Sequence, residues 1–322
     1  MALAHELPGE YLEERRQPGP VMRALRRLLR KKLALLALAI IGVVYLSGIL
    51  APVAAPYHYD EQNLDRALEG PSRDHPLGTD RLGRDMLSRT MYAARTTVII
   101  TVATLVTGSL ALGVGLGLLA GYRGGWVDGL IMRVADVFFA LPGLLILLLI
   151  TSTVRPRVEG LVLRLEAWTG ADWIRSSGLA DYLLIFGALS VFSWVGLARL
   201  VRSQVLALRE TEYVVAAEAM GASTARILWW HLLPGVVPTV VVLLSLALGA
   251  AAASEVALSW IGVGVQPPTP SFGIMLRQAA GLVQFREHPH LLLVPGAVVG
   301  VLIFAFNLLG DALNDALNPR AR

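Results

Sequence analysis

Cysteine is absent from the 322 residues of this chain, which excludes disulfides, thiolate metal sites and cysteine nucleophiles. Lysine occurs only at Lys31 and Lys32, so no glycine is followed by lysine anywhere in the sequence. A phosphate-binding loop of the Gly-x-x-x-x-Gly-Lys-Ser/Thr type therefore cannot be present. Any energy that the protein uses must come from a partner or from a gradient.

Charge is also scarce in this chain. Only 16% of the residues are charged and 55% are hydrophobic, whereas a soluble domain carries about 25% charged residues. The composition therefore predicts an all-α integral membrane protein. The net charge of +4 could suggest nucleic-acid binding, but the basic residues gather beside apolar stretches, which is typical of membrane proteins. We expect contact with membrane lipid and none with nucleic acid.

Six apolar stretches are long enough to be transmembrane helices, since a span needs about 20 residues. They cover residues 33–54, 97–121, 134–151, 182–200, 236–258 and 291–309. Pro142 is expected to kink the third. Val53-Ala54-Ala55 resembles a signal-peptide cleavage site, but signal cores have only about 7–15 apolar residues, so we prefer an uncleaved anchor. Gly113, Gly117 and Gly121 recur every fourth residue and predict close packing of the second span on another helix.

Basic residues give the predicted orientation. Residues 1–32 are rich in arginine and predict a basic amphipathic segment on the cytoplasmic leaflet. Six spans place both termini on that side. The segments 55–96 and 152–181 are then extracytoplasmic, and the loop 201–235 is cytoplasmic. We expect a permease-like core at 97–319, with a short helix from Leu161 to Trp168 inside the external insertion and a tail at 320–322.

The predicted cytoplasmic loop contains the most informative segment of the sequence. Residues 213–234 read YVVAAEAMGASTARILWWHLLP, which is too polar for a span. The pattern predicts two short helices joined by a turn at Gly221, since glycine tolerates the backbone reversal that ends a helix. Pro234 is expected to stop or kink the second helix. An ordinary surface loop is the alternative.

The same stretch resembles the EAA loop of ABC-importer permeases. Ala216, Ala217, Gly221 and the Leu233-Pro234 pair fit that pattern, although Val215 stands where the family has glutamate. The longer form from Tyr213 to Ser223 resembles the dipeptide/oligopeptide/nickel branch. The resemblance implies that this loop couples the spans to an ATPase. The residues concerned are Glu212, Tyr213, Ala216, Ala217, Gly221, Ala222, Ser223, Leu233 and Pro234.

A second block resembles the same branch. It precedes the second span and consists of Gly78-Thr79-Asp80 and Gly83-Arg84-Asp85. From the residues alone, this block is equally a solvated loop that leads into a helix. The resemblance gives these six residues no individual role.

The resemblance implies a type I ABC-importer permease fold with six transmembrane helices in a bacterial inner membrane. It implies one of two homologous permease subunits, two cytoplasmic ATPase subunits and an extracytoplasmic solute-binding protein. ATP and magnesium would be bound by the ATPases, so no cofactor and no enzymatic activity are expected of this chain. The cargo would be di- or oligopeptides, or alternatively nickel chelates or another small solute.

Two other classes of protein are weaker alternatives. A membrane-embedded enzyme would need paired catalytic groups inside the spans, and a gradient-driven transporter would need ionisable residues near mid-span. Glu255, at the far end of the fifth span, could line a polar pathway, meet a partner or lie at the membrane interface. His288 and His290 flank a proline and are more typical of a loop than of a metal site.

Overall fold

The structure is a computed structural model that describes residues 27–170 and 178–317. The predictions for residues 1–26, for 171–177 of the insertion and for the tail after residue 317 lie outside this range. Within it the fold is helical, with a 3₁₀ turn at Leu64–Arg66. The helices are α1 (Lys32–Ala54), α2 (Met86–Arg123), α3 (Gly125–Ala140), α4 (Gly143–Thr169), α5 (Leu179–Leu208), α6 (Glu212–Ala219), α7 (Thr224–Ile261), α8 (Phe272–Ala279), α9 (Leu282–Glu287) and α10 (His290–Leu317).

Five helices of the described chain, α1, α2, α5, α7 and α10, are long and apolar enough to cross a membrane. The pair α3 and α4 passes the same test only when taken together, and it is bent by 93°. The structure thus has five candidate spans, or six if the bent pair is one span. The chain is an all-helical, multi-pass membrane protein.

The bend between α3 and α4 lies where the sequence predicts a kink. Helix α3 ends at Ala140, and Leu141 has an extended backbone with φ −85° and ψ 141°. A residue that precedes proline avoids the helical region because the proline ring clashes with it. Pro142 then caps the start of α4. The predicted kink is in fact a break between two helices.

Helix α4 corrects the prediction for residues 152–181. The chain does not leave the helix after residue 151 but stays helical to Thr169, so Leu161 to Trp168 is not a separate short helix. Arg155 and Glu159, 3.6 Å apart, form an i,i+4 ion pair that helical geometry favours. Arg155 also donates to Asp181 on α5 at 2.6 Å and to the backbone carbonyl of Gly264 at 2.6 Å. The polar residues of α4 thus belong to a helix that is tied to the bundle.

Contacts between distant residues define the two ends of the bundle. Lys31 before α1 and Asp315 near the end of α10 lie 2.7 Å apart. Tyr122 at the end of α2 contacts Glu218 on α6. We name the end of the bundle that contains these two contacts the α6 end. Helix α2 has 38 residues and is about 57 Å long at about 1.5 Å per residue. Its first residues therefore lie at the opposite end, with residues 55–85, and we name this the Asp80 end.

The glycine stripe of α2 packs on α5, which confirms the prediction from its spacing. A Cβ atom at Gly117 would lie 2.7 Å from the Ala198 carbonyl oxygen, and one at Gly121 would lie 2.7 Å from Val205 Cβ. Both distances are shorter than side-chain contacts allow. Only glycine lets the two helices approach so closely.

We predict that Gly117→Val destabilises the bundle because overpacking a tight contact costs about 1–3 kcal/mol. The matched control is Gly115→Val on the same helix, where a Cβ would meet nothing within 4 Å. The measurement is the thermal unfolding midpoint of each variant in detergent. Equal midpoints for the two variants would show that the stripe does not hold α2 on α5.

Candidate functional site

Helix α6 is anchored to the bundle on one face and exposed on the other. Val214 is fully buried in a hydrophobic cluster with residues of α2, α5 and α7, and Ala217 is 3% exposed. The opposite face carries small or short side chains at helical spacing. Its exposed residues are Glu212, Val215, Ala216 and Ala219. A partner's surface could therefore approach the backbone of α6 closely.

A glycine turn ends α6 at the predicted position. Gly221 has φ +80°, which L-residues with a Cβ rarely adopt. Its N–H donates to the carbonyl of Glu218 at 2.9 Å, and the N–H of Ala222 donates to the carbonyl of Ala217 at 3.0 Å. These two bonds form a Schellman motif, which satisfies the last carbonyls of the helix. The turn fixes the direction in which the chain leaves α6.

The start of α7 differs from the predicted second short helix. Ser223 caps it by accepting from the N–H of Arg226 at 3.4 Å. The chain then passes through a π-helical segment, Ile227–Leu232, and continues as one helix to Ile261. Pro234 was expected to stop or kink the chain, and it does not stop it, because the helix continues to Ile261. α-Helical geometry restarts at Leu233 after the wider π turn, so Pro234 lies in a first turn, where proline is tolerated.

Side-chain contacts hold α6 in place from both sides. The hydroxyl of Tyr122 donates to a carboxylate oxygen of Glu218 at 3.1 Å. On the other side, the rings of Tyr213 and His231 lie next to each other, tilted by 40° with centroids 6.5 Å apart. The indoles of Trp229 and Trp230 project outward next to α6, with exposed fractions of 61% and 77%. Helix α6 is thus attached to both α2 and α7.

The second predicted block lies at the Asp80 end. Gly78 and Gly83 both have positive φ, of 78° and 70°. A Cβ atom at Gly83 would lie 1.7 Å from the carbonyl oxygen of Asn63, so no other residue fits there. The hydroxyl of Thr79 accepts from the Glu69 N–H at 2.9 Å and donates to the Arg66 carbonyl at 2.5 Å. The Arg66 guanidinium hydrogen-bonds Glu69 and lowers the pKa of that carboxyl. The block is a folded element rather than a solvated loop.

Asp80 is the centre of this block. One of its carboxylate oxygens accepts from Arg84 Nε at 2.8 Å and also pairs with Arg89 Nη1. The other oxygen accepts from the backbone N–H groups of Leu82 and Arg84, at 2.8 and 3.0 Å. Asp80, Arg84 and Arg89 are all buried. Arg89 also donates to Gln278 on α8 at 3.1 Å, so the carboxylate joins the block to two helices.

Asp85 begins α2. One of its oxygens accepts from the N–H of Ser88 at 2.7 Å, which is the usual side-chain cap of a helix. The other lies 2.9 Å from Nδ1 of His75, and both residues are buried. Asp85 therefore fixes both the start of the helix and the preceding loop.

Glu255 is the acid for which the sequence leaves a polar pathway, a partner contact and the membrane interface open. Its side chain is fully buried between α7 and α2. It accepts from the hydroxyls of Ser259 at 2.9 Å and Thr97 at 3.3 Å. Ser259 in turn accepts from the N–H of Val265. The carboxyl group therefore holds the loop after α7 against α2.

The structure places the two predicted sets of site residues at opposite ends of the bundle. The set at the Asp80 end includes residues that sequence patterns did not assign, namely His75, Arg89 and Gln278. Arg89 follows Asp85 by four positions, but that spacing would have suggested the wrong partner, because the structure pairs Arg89 with Asp80. Gln278 had none, because it is 189 positions from Arg89.

Comparison with known proteins identifies the family. Residues 113–322 match the family described as "Binding-protein-dependent transport system inner membrane component". The chain belongs to this family. Residues 19–71 match a second family, the "N-terminal TM domain of oligopeptide transport permease C". The protein is therefore a transport permease subunit of the inner membrane and not an enzyme, and its resemblance to ABC-importer permeases is confirmed.

Three relatives show the breadth of this permease family. The oligopeptide permease protein OppC of Bacillus subtilis is 36% identical over 93% of this chain and 89% of its own length. The glutathione permease protein GsiD of Pectobacterium atrosepticum is 36% identical over 92% and 90%. The dipeptide permease protein DppC of B. subtilis is 34% identical over 99% and 95%. The similarity thus covers both the α6 end and the Asp80 end of the permease.

We predict that Asp80→Asn destabilises the permease by about 3–5 kcal/mol, because it leaves two buried guanidinium groups without their counter-charge. The control is Asp74→Asn. Asp74 also pairs with an arginine, Arg66, but 65% of its side chain is exposed, so its loss should cost less than about 1 kcal/mol. Thermal unfolding in detergent measures both. Similar shifts for the two variants would contradict the central role of Asp80.

Proposed function

We propose that this permease is one of two transmembrane subunits of an ATP-driven importer for di- or oligopeptides, and that α6 docks on a cytoplasmic ATPase. The docking proposal rests on the difference between the two faces of α6. One face is locked into the bundle by Val214 and Ala217, whereas the other is exposed and lined with small residues such as Ala216. A partner seated on that face can transmit its displacement to the spans.

Charge supports an orientation with the α6 end in the cytoplasm. Basic residues lie beside the ends of the spans there, at Lys31, Lys32, Arg123 and Arg209. Positively charged residues near span ends favour the cytoplasmic side. Residues 55–85 and the loop after α7 then face the outside, where a solute-binding protein delivers cargo. The ATPases would lie on the other side, within reach of α6.

The proposed mechanism uses the rigidity of the α6 attachment. When ATP binding brings two ATPase subunits together, each would carry the coupling helix seated on it. Because α6 is packed on α5 and α7 and its Glu218 is bonded to Tyr122 on α2, its displacement would move these helices as a unit. The pathway between this permease and a second, homologous one would then open to the outside.

The cargo is proposed from the relatives. Their names refer to oligopeptides, dipeptides and glutathione, and glutathione is itself a tripeptide. A peptide is therefore the shared chemistry. Nickel chelates are the alternative cargo, and uptake of a labelled di- or tripeptide by the assembled transporter distinguishes the two.

The absence of cysteine allows a direct test of the docking face. We predict that Ala216→Cys, labelled with a photoactivatable maleimide in membranes, cross-links to a protein with a P-loop ATPase sequence. The adjacent Ala217→Cys is the control, because residue 217 faces the bundle and should not react. Mass spectrometry identifies the captured chain. Cross-linking from both positions or from neither, with the transporter assembled, would refute docking through this face.

A second prediction tests the turn that orients α6. Gly221→Val should abolish peptide uptake while the protein still inserts, because a β-branched residue is strongly disfavoured at φ +80°. Gly221→Asn should retain most of the uptake, since asparagine tolerates this backbone conformation and a Cβ there meets nothing within 4 Å. Normal uptake by the valine variant would contradict the coupling role of this turn.

A further inference from the structure

A cavity of about 230 Å³ lies at the Asp80 end, between the start of α2, α8 and the start of α10. Asp80, Arg84, Arg89 and Gln278 provide its polar wall. Met86, Met275 and Leu291 are among the side chains of its apolar wall. Arg81 and Leu82 also line it, and because both are exposed they form its rim. The cavity therefore combines a cationic wall with an apolar one.

The polar wall has more hydrogen-bond donors than acceptors. A guanidinium group carries about five N–H donors, and two of these groups, Arg84 and Arg89, share the carboxylate of Asp80. Both also donate to the same amide oxygen of Gln278, at 3.5 and 3.1 Å. Among the described residues, the buried Nε of Arg89 has no acceptor. The wall thus lacks an acceptor for one buried guanidinium donor.

The wall also has an excess of positive charge. Two buried cations face one buried anion, since Asp85, the next carboxylate along the chain, bonds to His75 and Ser88 instead. Buried charges are normally paired because an unpaired one costs several kcal/mol. An additional anion inside the cavity would balance the charge and accept from the Nε–H of Arg89. A planar carboxylate matches the geometry of a guanidinium particularly well.

We propose that this cavity binds the terminal carboxylate of the cargo, with the last side chain of the cargo against the apolar wall. The volume fits one amino-acid residue rather than a whole peptide. The guanidinium groups would hold the carboxylate, and the two methionines would adapt to side chains of different shape, because methionine is flexible and unbranched. The cavity would thus check for a free carboxyl end at the entrance. The identification of the ligand as cargo rests on the proposed function, whereas binding of a carboxylate does not.

The test uses the assembled transporter in detergent and two probes, N-acetyl-leucine and N-acetyl-leucinamide, which differ only in the carboxylate. We expect the acid to bind, as measured by ligand-observed NMR titration, and the amide to bind about tenfold more weakly or not at all. Arg84→Gln should weaken acid binding about tenfold and leave amide binding unchanged. Arg73→Gln is the matched control. Arg73 is an exposed arginine on the same segment that does not line the cavity, so acid binding should be unaffected.

A second variant covers the case in which Arg84→Gln fails to fold. Leu82→Trp fills the rim from an exposed position and leaves the ion pairs of Asp80 in place. It should abolish binding of the acid at an unchanged thermal unfolding midpoint. Retained binding in Leu82→Trp, or equal binding of acid and amide to the unmodified transporter, would overturn the proposal.

Peptide uptake separates failure of the cavity from failure of the proposed function. If peptide uptake is normal but the acid does not bind, only the claim that the cavity binds a carboxylate is overturned. Binding of the acid by a transporter that imports no peptide supports the carboxylate site but refutes the proposed cargo. A third outcome is that the acid does not bind and that Arg84→Gln no longer binds the solute-binding protein. The cavity is then not a cargo site but a docking site for an acidic side chain of that protein.

Discussion

The packing of one face of α6 against α2, α5 and α7 is the contact on which the proposed coupling depends. Val214 belongs to the same hydrophobic cluster as Val114 of α2, Val201 of α5 and Ile227 of α7. A helix of eight residues is too short to be stable alone, so this cluster both forms α6 and connects it to the spans. Because the buried residues are on one side, the small residues on the other remain available to a partner. The glycine stripe of α2 extends the same connection, since it brings α2 onto α5 without intervening side chains.

The Asp80 end is instead held together by ion pairs and hydrogen bonds. A single carboxylate orients two guanidinium groups and a backbone turn, and Asp85 beside it fixes the start of α2. Such a network is sensitive to the loss of any one member, because each loss leaves a buried charge or donor unpaired. In the proposed function, one end of the permease receives cargo and the other receives force. The two ends have the corresponding chemistry: a fixed cationic cavity at one and an exposed, rigidly attached helix at the other.

Much of the helical organisation could be predicted from the sequence, because hydropathy reflects burial in lipid and glycine reflects backbone geometry. The apolar stretches, the turn at Gly221 and the position of the bend at Pro142 were visible in this way, whereas the break of the helix there was not. Interactions between distant residues were not. A π segment precedes Pro234 within one continuous helix, and Arg155 is tied to Asp181 on α5 and to Gly264 in the loop after α7. The buried Glu255 accepts a hydrogen bond from Thr97, which is 158 positions away. Likewise, no local pattern indicated that Gln278 would join Asp80.

Purification of the permease from its native membrane in mild detergent, followed by identification of every chain that accompanies it, tests the central claim most directly. The account predicts a second, homologous permease and P-loop ATPases in the purified complex. It also predicts that the ATPases are lost from a variant whose α6 face is blocked by Ala216→Trp, whereas the second permease is retained. A permease that is stable and active in transport on its own would contradict the claim that α6 couples it to an ATPase.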